Sequence, residues 1–241
     1  MCSRLWHLGV RFPIPTGMAL ILASASAQRR ALLQQIGVEP ICLPVNIDET
    51  RHPGETAQAL VLRLAERKAK AVDQEMARRM MHSVMNSEAA VRVPATAVSP
   101  VTVRLFAGAD SPLLILGGDT IIVLGEQIMG KPRGREEGIE MLQQLSGKTH
   151  QVLTGVSVLR VPVNGPPISQ TIVVTSSVTI GQINEAMADA YWAGGEPAGK
   201  AGAYAIQGYG ARFVEHLSGS YSNVVGLPLF ETARLIDRLA K

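Results

Sequence analysis

Two stretches, Thr149–Val161 (THQVLTGVSVLRV) and Thr171–Ile180 (TIVVTSSVTI), alternate apolar and polar residues as half-buried strands do, with Asn164-Gly165-Pro166-Pro167 between them as the connection. They are expected to pair as an antiparallel hairpin. Around this hairpin, strand patterns alternate with helix patterns. Residues 19–23 (ALILA) read as a buried strand, Arg29–Ile36 as a helix ended by Gly37, and a second helix runs from after Pro53-Gly54-Glu55 to about Val72. Leu113–Gly117 and Ile121–Leu124 read as two strands flanking Gly118-Asp119-Thr120, with a turn near Gly125. Helices are expected over Arg135–Leu145, Gln182–Trp192 and Pro228–Lys241, and a strand over Ala211–Leu217 after the Gly-rich segment Gly199–Gly210. Strand–helix alternation alone would allow a doubly wound parallel sheet, but the hairpin demands antiparallel pairing, so the fold class is mixed α/β.

Composition narrows the function classes. The chain has 241 residues, 46% of them apolar, enough for a sizeable core without staples. Its two cysteines, Cys2 and Cys42, argue against a disulfide framework and fit a reducing compartment. The histidines His7, His52, His82, His150 and His216 lie too far apart to set zinc-ligand pairs. A formal charge of +3 gives no basis for nucleic-acid binding, and no apolar run reaches the length of a membrane span or a signal peptide. A cytoplasmic location is expected. From 73 to 112 no period is sustained, which reads as part continuation of the preceding helix and part loop.

Several residues ask for more than packing. Lys68 interrupts the apolar stripe made by Leu60, Val61, Leu64, Ala65, Ala71 and Val72, so it either snorkels to water or meets an anion. Asp119, between two apolar runs, is either a turn residue or a carboxylate held for metal binding or base catalysis. Ser24-Ala25-Ser26-Ala27-Gln28-Arg29-Arg30 joins a strand to a helix with hydroxyls, free amides and guanidinium groups. Such a junction suits phosphate, or is simply a serine cap with two solvated arginines. Lys131 and Lys200 sit in loops able to approach a ligand, Gln207 has an amide that could read a base edge or close a turn, and Glu49 beside Asp48 is either a second metal-facing carboxylate or a turn feature. Ser146-Gly147-Lys148-Thr149 is no Walker A loop, because the required first glycine would fall at Leu142.

Taken in order, five blocks resemble the Maf family: Leu20–Val38 (LILASASAQRRALLQQIGV), NIDET followed by RLAERKA, Gly117–Pro132 (GGDTIIVLGEQIMGKP), Leu145–Val156 (LSGKTHQVLTGV), and GEPAGKAGAYAIQG with GSYSNVVGLPL. The resemblance covers 18–72 and 113–241, leaving 1–17 as an N-terminal extension and an irregular insertion within 73–112 of a single domain, 18–241. It implies a mixed twisted sheet flanked by helices, with two lobes around a nucleotide-binding cleft, similar to inosine triphosphate pyrophosphatase.

The implied activity is hydrolysis of a nucleoside triphosphate to monophosphate and pyrophosphate, assisted by Mg²⁺ or Mn²⁺. By resemblance Asp119 is the proton acceptor and Glu49 a charged residue of the pocket; Glu49 is expected to help hold the metal, and which of the two carboxylates touches it directly is left open by the sequence. Arg29, Lys68 and Lys131 are charged pocket residues, and Ser24, Ser26 and Lys200 complete the substrate contacts. Arg29, Thr120 and Gln207 match the branch acting on dTTP and UTP; a second branch acts on 7-methyl-GTP, and the family is also linked to septum formation, which would make hydrolysis incidental to a binding role. The sequence departs from the family pattern in having Ala27-Gln28 where a proline commonly precedes the paired arginines. A homodimer is plausible for the family.

Overall fold

The segment Leu113–Leu124 forms a single strand of 12 residues at the heart of a seven-stranded mixed sheet. The computed structural model describes residues 18–85 and 111–241. In chain order the strands are β1 (Ala19–Leu22), β2 (Ile41–Cys42), β3 (Leu113–Leu124), β4 (Gln127–Met129), β5 (Thr149–Val161), β6 (Ile168–Ile180) and β7 (Val214–Ser218). The helices are α1 (Ala27–Gln35), α2 (Ala57–Met85), α3 (Arg135–Leu145), α4 (Glu185–Ala193), α5 (Tyr221–Val225) and α6 (Leu229–Leu239). Strand order is β2-β1-β3-β5-β6-β7, with β1 parallel to both its neighbours and β3, β5, β6 and β7 successively antiparallel. The mixed α/β class and the β5–β6 hairpin agree with the sequence reading.

Side-chain alternation along β3 explains the layers. Its odd-numbered residues face α2: Leu113 and Ile115 pack with Ala69, Val72 and Met76, and Ile121 packs with Leu60, Val61 and Leu64. Helix and sheet approach to backbone contact because two positions carry no side chain. A Cβ on Gly117 would lie 2.1 Å from the Ala65 carbonyl oxygen, and one on Gly155 2.2 Å from that of Val61. Even-numbered residues face a layer that is split in two. Leu114 and Leu116 pack with Leu32 and Leu33 of α1 and Leu235 and Ile236 of α6. Ile122 packs instead with Met141, Leu142 and Leu145 of α3 and Tyr191 of α4. Each fully buried leucine or isoleucine contributes about 2 kcal/mol of apolar burial, so both groups are firmly seated on the sheet. They form the two lobes.

The sheet also has a break. β1 accompanies β3 only over Leu113–Leu116, and β4 only over Ile122–Leu124, both on the edge opposite β5. Among the described residues, Gly117–Ile121 therefore have no strand on that edge. Asp119 sits at the middle of the gap, held in register with Gly155 by β5.

Several boundaries differ from the sequence reading. The two strands expected around Asp119 are one, because pairing with β5 continues without interruption from Leu113 to Val123; Asp119 is thus no turn residue. α1 starts at Ala27, capped by Ser26, whose hydroxyl accepts from Arg29 N at 3.3 Å. α4 starts at Glu185 because Asn184 caps it, and β6 starts at Ile168, where pairing with Arg160 begins. Gly208–Phe213 is a 3₁₀ turn, so β7 begins only at Val214. β2, β4 and α5, of 2, 3 and 5 residues, went unread. The expectations for 1–17 and for most of 73–112 fall outside the described residues, apart from the continuation of α2 to Met85. No described helix is long and apolar enough to cross a membrane.

Candidate active site

A cavity of about 720 Å³ opens at the break in the sheet, between the two lobes. Ten residues singled out in the sequence line it: Ser24, Ser26, Arg29, Glu49, Lys68, Asp119, Thr120, Lys131, Lys200 and Gln207. They come from seven separate parts of the chain, and the fold gives a reason for each.

Lys68 lies on the sheet-facing stripe of α2, one turn beyond Leu64 and level with the gap below Gly117. Its Nζ donates to Asp119 Oδ1 at 2.7 Å and pairs with Glu49 Oε1, also at 2.7 Å. The Lys68 and Asp119 side chains are only 11% and 12% exposed, whereas Glu49 is 53% exposed, so the pair is internal and Glu49 covers it from the solvent side. Snorkelling is therefore not what Lys68 does. Removing Lys68 would strand the enclosed Asp119 carboxylate at a cost of several kcal/mol.

Glu49 is brought there by a loop pinned to α2. Asp48 Oδ1 accepts from Thr50 N at 2.9 Å, Arg67 donates to the Asp48 carbonyl, and Arg63 holds both the Thr50 carbonyl and Glu55. Of the two neighbouring acids, Asp48 makes the turn and Glu49 faces the cavity. Partial burial works to raise the Glu49 pKa, but the hydrogen bond from Lys68 and the positive charges of Lys68, Lys131 and Arg29 outweigh it and hold the carboxyl below its ordinary range.

Arg29 projects from the first turn of α1 into the same space. Its Nε donates to the Gly226 carbonyl at 2.8 Å, Nη1 to Ser24 Oγ at 3.3 Å and Nη2 to Thr120 Oγ1 at 3.0 Å. Gly118 leaves room for it, since a Cβ there would come within 3.2 Å of Nε. The chain of contacts continues from Thr120 to Thr154, from Thr154 to the Asn223 carbonyl, and from Asn223 Nδ2 to the Val152 carbonyl and Ser176 Oγ. α5 is thereby fastened to the sheet, and among the described residues the hydrogen bonds of the Arg29 guanidinium go to neutral oxygens. Burial pushes its pKa down, while Asp119 and Glu49 act in the opposite direction. By contrast Arg30 is exposed and pairs with Glu39 at 3.0 Å, the surface role foreseen as its alternative.

The second lobe supplies Lys131, after β4, and the run 195–208. Gly202 N donates to the Gly130 carbonyl at 3.0 Å, tying these two segments together. Gln207 precedes the 3₁₀ turn and makes no side-chain cap. Three lining or supporting residues were not singled out in the sequence. Tyr204 lines the cavity and shares a 2.8 Å hydrogen bond with the buried His150, and Glu196 lines it while bonding three donors of its own. His150 and Tyr204 lie 54 residues apart, a pairing without local signal.

A cleft lined by Lys68, Arg29, Lys131 and Lys200, with the Asp119 carboxylate buried inside and Glu49 towards the solvent, suits a polyanion. The family model for Maf-like protein matches residues 19–239. The chain belongs to that family. Similar proteins include three named dTTP/UTP pyrophosphatase. That of Anaeromyxobacter sp. (strain Fw109-5) is 42% identical over 219 residues, 91% of this chain and 88% of that protein. That of Alkalilimnicola ehrlichii is 41% identical, covering 90% and 91%. The Xanthomonas campestris pv. campestris protein is 40% identical, covering 90% and 96%. In this Maf-like chain the matched region spans both lobes and all the lining residues named above.

Proposed function

We propose that this Maf-like chain is a nucleotide pyrophosphatase that hydrolyses dTTP and UTP to the nucleoside monophosphate and pyrophosphate, by attack of water at the α-phosphorus. The observation that carries the reading is the Lys68 ammonium clasped between Asp119 and Glu49 at the floor of a cationic cavity. A triphosphate brings about four negative charges, and phosphoryl transfer depends mainly on positioning and charge neutralisation.

Asp119 orients and deprotonates the attacking water, and Lys68 fixes that carboxylate in direction. Ser24, Ser26 and the free amides at the start of α1 take phosphate oxygens, with Lys131 and Lys200 offsetting charge along the chain of phosphates. The donor set also fits a divalent cation. Asp119 and Glu49 both reach the Lys68 ammonium, and among the described residues no group of three or more His, Cys, Asp or Glu could hold a metal, so a cation would draw on these two carboxylates beside Lys68 and take most of its ligands from the substrate and water. Mg²⁺ or Mn²⁺ would accordingly be held by Asp119 and Glu49 and complete its shell with phosphate and water oxygens, as Mg²⁺ commonly does. When bound, it would neutralise charge on the phosphates.

Base preference is assigned to Gln207, Thr120 and Arg29. The Gln207 amide both donates and accepts, matching the N3–H and O4 of uracil or thymine. The test is kcat/KM for dTTP, UTP, CTP, ATP, GTP and 7-methyl-GTP with Mg²⁺ or Mn²⁺, in wild type and Gln207→Ala. dTTP and UTP are expected to exceed the purine nucleotides by about tenfold or more, the equivalent of one good hydrogen-bond pair, with that margin lost in the variant. Faster turnover of 7-methyl-GTP would overturn the pyrimidine assignment. Tight binding of all six without turnover would put a nucleotide-binding role in its place.

A further inference from the structure

Glu196, in the loop after α4, is a carboxylate that the mechanism above leaves without a task. Its Oε1 accepts from Tyr191 Oη at 2.7 Å and from Gly210 N at 2.9 Å, and its Oε2 accepts from Tyr209 N at 2.8 Å. The two amides belong to the turn immediately after Gln207. Gly208 has φ +76°, and a Cβ there would lie 2.4 Å from Glu196 Oε2, so the carboxylate is seated inside the curve of this turn. Tyr191 is buried on α4, and its oxygen also accepts from Ala205 N at 3.1 Å. The pair Tyr191–Glu196 thus grips the chain at Ala205 on one side of Gln207 and at Tyr209 and Gly210 on the other.

We propose that Glu196 is a positioning residue for base discrimination: clamped by Tyr191, its carboxylate fixes the turn that holds the Gln207 amide against the base. This rests on the assignment of Gln207 as a base reader. Gln207 makes no cap of its own, so its direction depends on the backbone that Glu196 holds. The brace requires a carboxylate, because both oxygens must accept. In Glu196→Gln the NH₂ group would face either Tyr209 N–H or Gly210 N–H, and in each orientation one backbone donor loses its acceptor.

The experiment measures the ratio of kcat/KM for dTTP to that for GTP in wild type, Glu196→Gln, Tyr191→Phe, Gln207→Ala and the double variant of Glu196 and Gln207. Glu196→Gln is expected to lower the ratio about tenfold, Tyr191→Phe to lower it less, and the double variant to fall no further than Gln207→Ala alone, since the two residues act as one unit. A role confined to stability would lower both rates together and leave the ratio unchanged. If Gln207→Ala lowers the ratio and folded Glu196→Gln does not, the proposal is overturned while the base assignment stands. Should Glu196→Gln fail to fold, an unchanged ratio in Tyr191→Phe overturns it equally. If Gln207→Ala itself leaves the ratio unchanged, the assignment beneath the proposal is wrong and both fall.

Discussion

Asp119→Asn is expected to lower kcat for dTTP hydrolysis about a thousandfold, within the range that a positioned general base contributes. The substitution is close to isosteric and lies in the middle of β3, where pairing with Gly155 fixes the backbone independently of the side chain. The asparagine carbonyl can still accept from Lys68 Nζ, and Lys68 keeps its contact with Glu49. What disappears is the charge that draws the proton from water and that, with Glu49, would hold the cation. Single-turnover hydrolysis measured beside thermal unfolding would separate chemistry from folding, and retention of more than a tenth of the wild-type rate in a folded variant would remove Asp119 from the role of base.

Acid should weaken the fold through His150. The ring is 2% exposed, its Nδ1 has no hydrogen-bond partner among the described residues, and burial holds its pKa down at about 4 against an ordinary 6.5. In this case the native pKa is the lower of the two. Below about pH 6.5 the unfolded chain takes up a proton that the native state refuses, so stability is complete above that pH and declines as pH falls to about 4. The loss attributable to this group is about 3 kcal/mol. His150→Gln, which does not titrate and can still meet the Tyr204 hydroxyl, should show a correspondingly shallower decline in unfolding free energy between neutral pH and pH 4. Equal declines in the two proteins would assign the acid sensitivity to carboxylates instead. Because Tyr204 lines the cavity, the same imidazole also supports the wall of the site.

Much of the cavity's lining was legible because its polar residues are carried in short, continuous stretches. Ser24 to Arg29 lie within one strand-to-helix junction, and Lys68 was visible as a cation breaking an otherwise apolar stripe. Asp119 was marked by its setting between apolar runs, yet its local structure was misjudged. Gly117 and Gly118 look like a break in a strand, whereas they make room for α2 and for Arg29 within a continuous one. The short strands β2 and β4 carry too few residues to show a period, and they exist because β1 and β3 offer them an edge. The supporting contacts were hidden for a related reason. His150–Tyr204, Thr154–Asn223 and Arg29–Gly226 join residues 54, 69 and 197 positions apart, so only the folded chain brings them together. The gap between β1 and β4, which opens the cavity, is likewise a property of pairing and appears in no single segment.

The most direct measurement is hydrolysis of dTTP in ¹⁸O-labelled water, with mass analysis of both products. Attack at the α-phosphorus places the label in the thymidine monophosphate and leaves the pyrophosphate unlabelled. Label in the pyrophosphate, or release of orthophosphate and thymidine diphosphate, would contradict the assignment of Asp119 and its neighbours to water attack at that phosphorus.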